Sequence, residues 1–143
     1  MHRVAALVLV VALAVAGAAC GSGKQSAPVV VAMAGEVVAT SKLLTIAAGV
    51  CDAARQAATD THAAYQTFFG VSHDGIHLIA RGLQDKHRDA AATLLEAKVK
   101  VEEDFANPNP PAAQLVADLR RLAAVTGDSL AIFKVNAEAC PSS

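Results

Sequence analysis

The chain has 143 residues, a net charge of −1 and 54% hydrophobic residues, but only 3% aromatic residues and no tryptophan. That length supports one domain with a real core, and a composition rich in alanine and small aliphatics favours helix. Interleaved charges of both signs leave no basic surface to attract nucleic acid or an anionic membrane.

The first twenty residues read MHRVAALVLVVALAVAGAAC. Arg3 gives a positive start, residues 4–16 form an uncharged apolar run too short to span a bilayer comfortably, and Gly17, Ala18 and Ala19 precede Cys20. A cysteine directly after small residues resembles the lipobox of bacterial lipoproteins, with Gly17 standing where that family usually has leucine. The resemblance implies that residues 1–19 are a signal peptide. It further implies that the Cys20 thiol carries a diacylglyceryl group and that the mature protein is held to the cell membrane, facing outside the cytoplasm. An ordinary secretory signal cleaved near Ala19 is the alternative, and it would leave the protein secreted. The resemblance ends at about residue 23. The remainder has only the general style of lipoproteins from high-GC bacteria.

The cysteine count agrees with lipidation. The chain has three cysteines, Cys20, Cys51 and Cys140. With Cys20 lipidated, the other two form an even pair in an oxidising compartment, where a disulfide is expected. Residues 20–40 then read as the lipidated cysteine, a GSGKQSAP tether and a lead-in, and residues 41–143 as the folded domain. The valines of PVVVAMAGEVVAT favour strand. With no separate strand-like segment to pair with, residues 28–40 are expected to be a short helix or loosely ordered.

From Ser41 onward the apolar spacing is helical. Leu44, Ala47, Cys51, Ala54, Ala58, Thr61, Tyr65 and Phe68 trace one face of a helix ending near Gly70. A second helix is expected from a Ser72 cap, with Asp74 in its first turn, burying Ile76, Ala80, Leu83, His87, Ala90, Leu94, Val101 and Phe105. It stops at ANPNPP. A third helix is expected to start at Pro110 under an Asn109 cap, with Gly127 as a point of division. The fold expected is all-α, an antiparallel up-down bundle of three helices, or four if one divides. In that frame Cys51 lies roughly 29 Å below the first turn and Cys140 roughly 7 Å below it. A Cys51–Cys140 bond therefore requires an unwound tail from about Val135 folding back along the bundle.

Histidines carry the only chemical signal. If the chain reverses at Gly70, His62 falls level with the next helix and points to the core, near His73 and His77. Three imidazoles, with Tyr65, Asp60 or Asp74 in reach, would suit Zn or Cu. Against that metal reading, Ser72 and Asp74 have work to do in starting a helix, and no HExxH motif is present. His87 reads as a core histidine bonded to Thr126 or Thr61. Glu102, Glu103 and Asp104 read as a solvated acidic tip, and Arg120 and Arg121 as solvent-facing charge. No GxSxG, Cys–His pairing or phosphate-cradling loop occurs, so no enzyme is expected. The leading expectation is a non-enzymatic binding or accessory protein of the cell envelope, using bundle faces to contact another protein, with metal binding at His62, His73 and His77 as the alternative.

Overall fold

The computed structural model describes residues 29–140. The signal-peptide and Cys20 assignments fall outside those residues. Among the described residues, no helix is long and apolar enough to cross a membrane.

Residues 29–40 depart from the short helix or loose lead-in expected over 28–40. Val30–Met33 (β1) and Glu36–Ala39 (β2) form an antiparallel hairpin, pairing Val31 with Val38 and Ala32 with Val37. The partner strand expected to be missing lies in the same segment, across a tight turn. Ala34 at φ 48° and Gly35 at φ 81° supply the left-handed geometry that two-residue hairpin turns require. Met33 and Val38 are buried, so the sheet has one face against the helices and avoids the fate of an isolated hairpin.

The helices are α1 (Thr40–Ala57), α2 (Thr61–Thr67), α3 (His73–Leu83), α4 (Arg88–Ala106) and α5 (Ala112–Ile132). Between α2 and α3, Phe68–Ser72 form a π-helical turn, with the His73 N–H donating to the Phe68 carbonyl five residues back. The chain therefore does not reverse at Gly70: Thr61–Leu83 is one continuous rod. The reversal comes earlier, where the Asp60 carboxylate accepts from the Ala63 N–H at 2.9 Å and caps α2. The next comes at Gln84–His87, inside the polar run QDKHRD. Four rods result, but from breaks at Asp60 and at Gln84–His87 rather than from a division of the last helix at Gly127.

Consecutive rods are antiparallel. Gly75 meets Ile46 and Gly49 meets Ser72, in opposite order along α1 and the long rod. His73 meets Glu102 across α3 and α4. Gln114 meets Asp104 across α4 and α5. α5 packs against α1 and closes the bundle. The core is aliphatic, with Leu43, Val50, Ile76, Ile79, Leu83, Leu94, Leu115, Leu119, Leu122 and Leu130 fully buried.

Other expectations are corrected. The buried stripe of α1 runs through Leu43, Ile46, Val50, Ala53 and Ala57, while Leu44 and Tyr65 are exposed. Alanine on several faces makes two adjacent stripes nearly equivalent in the sequence, and the bulkier side chains decide. Ser72 does not cap a helix but donates its hydroxyl to the Ile46 carbonyl at 2.8 Å. His87 is exposed at the start of α4, and Thr126 instead bonds the Leu122 carbonyl. α5 starts at Ala112 behind Pro111 rather than at Pro110, and runs through Gly127 without dividing. It ends as sequence reasoning required, near Val135. Lys134 takes φ 61°, its N–H bonds the Ala131 carbonyl, and the Val135 N–H bonds the Leu130 carbonyl. This is a Schellman stop, with Val135 buried over the helix end. The tail then returns to Cys51, where the Cys51–Cys140 disulfide has its alpha carbons 5.3 Å apart.

The acidic tip is only partly solvated. Glu103 is exposed beside Lys100, but Asp104 is 8% exposed. Asp104 Oδ1 accepts from Gln114 Nε2 at 3.2 Å, and its Oδ2 is buried without a partner. Burial first, then the neighbouring Asp118 carboxyl, pushes the Asp104 carboxyl above the usual range. A raised carboxyl pKa means that protonation stabilises the fold, and that this stability is lost as pH rises through it. Asp104→Asn is therefore expected to gain about 1 kcal/mol at pH 7, with the gap closing as pH falls toward the ordinary carboxylate range near 4. Thermal melts of both proteins across that range check this.

Candidate functional site

The structure separates the three expected metal ligands. His62 is exposed on α2 and bonded to Gln66 at 2.9 Å. Eleven residues of continuous rod put it about 16 Å of axial rise from His73. Convergence depended on a reversal at Gly70 that does not occur. His73 also lacks a free nitrogen: Nδ1 is bonded to Asp74 Oδ1 at 2.9 Å and Nε2 to Glu102 Oε1 at 2.8 Å. His73 and His77 do meet, with ring centroids 5.3 Å apart. Among the described residues, no group of three or more His, Cys, Asp or Glu side chains is placed to hold a metal ion. His62 is too far along the rod to share an ion with His73 and His77.

The rod instead carries a ladder of rings at every fourth residue: Tyr65, Phe69, His73 and His77. Successive centroids are 4.4, 5.1 and 5.3 Å apart. On a regular α-helix each step of four overshoots a full turn by about 40°, so four rings would wind away from one line. The wider π-turn under Phe69 takes up part of that drift. Phe105 of α4 packs edge-on to Tyr65 at 5.6 Å and lies 5.9 Å from Phe69, while the buried Phe68 stacks beneath Phe105 at 5.8 Å. Four of the chain's five aromatic side chains thus gather at one site. Tyr65 is 45% exposed. A rigid aromatic cluster with a polar tip suits recognition, because it offers contact area at little entropic cost.

Beside the ladder lies a polar relay. Lys98 of α4 has its side chain only 3% exposed, and its Nζ donates to Glu102 Oε1 at 2.7 Å, the same oxygen that His73 engages. Burial raises the Glu102 carboxyl, but the hydrogen bonds from Lys98 and His73 outweigh it and hold the group below the usual range. Burial, followed by the Lys98 and His73 charges, lowers His77. The bond to His73 holds exposed Asp74 down. A buried ammonium resting on one carboxylate makes Glu102 the keystone of the relay. Sequence reasoning did not single out Lys98. The available signal was its place on the Ala91, Leu94, Ala97, Val101 face, where a charge needs a partner four residues on.

The chain matches no protein-family model, and no curated protein or solved structure is significantly similar to it. The fold and site define a helical bundle with an added β-hairpin and a surface built from aromatic rings and a buried charge relay.

Removing either end of the relay should have unequal effects. Glu102→Gln strands the Lys98 charge and is expected to cost about 2–3 kcal/mol, less than a fully buried pair because Glu102 is partly exposed. Lys98→Met keeps the apolar stem and is expected to cost less than about 1.5 kcal/mol. Denaturant unfolding of the two variants measures the difference, and equal losses would remove Lys98 from the account.

Proposed function

We propose that this chain is an exported, lipid-anchored protein of a bacterial cell envelope, and that it acts by binding another envelope protein rather than by catalysis. The observation that carries the reading is the Cys51–Cys140 disulfide, with its alpha carbons 5.3 Å apart. It takes two of the three cysteines and leaves Cys20, behind its small-residue run, for lipid. The binding face is the ring ladder, with Tyr65 at its exposed end and Phe69 and Phe105 behind it. Catalysis is disfavoured because both nitrogens of His73 are held by carboxylates. His73 is therefore not free to serve as a base toward a nucleophile.

Radiolabelled fatty acid fed to the expressing bacterium should enter the wild-type protein and be absent from Cys20→Ala. The labelled protein should show no free thiol on alkylation. A photo-crosslinking residue at Tyr65 should give a discrete envelope adduct, and one at Asp85, exposed in the turn beyond the far end of the rod, should not. Unlabelled wild type would overturn the anchor, and equal crosslinking at the two positions would overturn the binding face.

A further inference from the structure

An antiparallel sheet with one solvated face normally alternates apolar-in with polar-out. The hairpin does not. Its inner positions Met33 and Val38 are buried, but its outward positions Val30, Ala32, Val37 and Ala39 are apolar as well. Val37 is 74% exposed, Val30 50%, and Val29, just before β1, 73%. No polar side chain projects from this face. It is an unpartnered apolar surface placed where the described chain begins.

That placement identifies an occupant. Eight residues separate Cys20 from Val29, and even fully extended they reach no more than about 32 Å, roughly the length of α5. A domain tethered this closely samples the bilayer surface continually, so a contact too weak to hold a free protein suffices. Valines and alanines, with no charged side chain among the outward strand positions, suit the boundary between headgroups and acyl chains rather than an anionic headgroup patch. We infer that the outer face of the β1–β2 hairpin, through Val29, Val30 and Val37, rests on the membrane surface that receives the Cys20 lipid. This inference rests on the lipid-anchor reading above. Its effect is to fix the orientation of the domain relative to the membrane.

The chain has no tryptophan, so one introduced tryptophan reports alone. Lipidated Val37→Trp and Val99→Trp proteins are reconstituted in phosphatidylethanolamine–phosphatidylglycerol vesicles carrying a nitroxide high on the acyl chain. Val99 is also exposed, on the outer side of α4. The Val37→Trp emission is expected to be quenched at least three-fold more strongly than that of Val99→Trp. Equal quenching in protein that carries the fatty-acid label overturns this inference and leaves the anchor standing. Absence of label at Cys20 overturns both. Blue-shifted emission at Val37→Trp that lipid nitroxides do not quench, and that grows with protein density, marks a second copy on the face and also overturns the membrane assignment.

Discussion

The structure depends on one close helix crossing. The Ser72 hydroxyl reaches the Ile46 carbonyl at 2.8 Å, a bond between α1 and the π-turn that is wholly buried. Two glycines permit it. A Cβ on Gly49 would overlap the Ser72 hydroxyl and lie 2.7 Å from Val71, and one on Gly75 would overlap the Ile46 side chain. Backbones at this separation leave no room for a methyl group on either side. The hydroxyl satisfies a carbonyl already within a helix, so its value lies in fixing register and in sparing a buried donor.

From that crossing the rest of the site follows. Pinning Ser72 holds the π-turn in place, and the π-turn keeps Tyr65, Phe69, His73 and His77 near one line. It also turns His73 toward α4, where Glu102 joins it to the buried Lys98. π-turns cost backbone hydrogen-bond regularity and persist where tertiary contacts compensate. Here the compensation is the glycine-lined seam on one side and the Phe68–Phe105 packing on the other. At the far end of α5, the Schellman stop at Lys134 aims the tail back to Cys51. The disulfide then closes a long loop across α1, which restricts the unfolded chain.

How much of this was legible in the sequence varied with how local the cause was. The end of α4 at ANPNPP was legible, because proline cannot continue a helix. The tail that unwinds near Val135 followed from geometry, since Cys140 could not otherwise reach Cys51. The Asp60 cap was there to be read, but the helix-favouring run AARQAA masked the break before it. The same alanines hid which stripe of α1 faces inward. The π-turn had no sequence signature at all, and missing it moved the reversal to Gly70 and brought His62 falsely toward His73 and His77. The hairpin was hidden differently: both strands lay inside one short valine-rich segment, with Ala-Gly rather than a stronger turn pair between them. Glu102 and Lys98 were visible as a pair four residues apart, but only packing against α3 buries the lysine and brings in His73.

The most direct test of this account is Gly49→Ala, followed by thermal unfolding and by proton NMR of the His73 and His77 ring resonances. The added methyl group is expected to cost about 1–3 kcal/mol as overpacking at the crossing. It should also move the ring signals, because His73 sits 5.1 Å from Phe69 and 5.3 Å from His77 in a geometry the crossing maintains. An alanine variant with unchanged stability and unchanged imidazole shifts would contradict the claim that the seam organises the site.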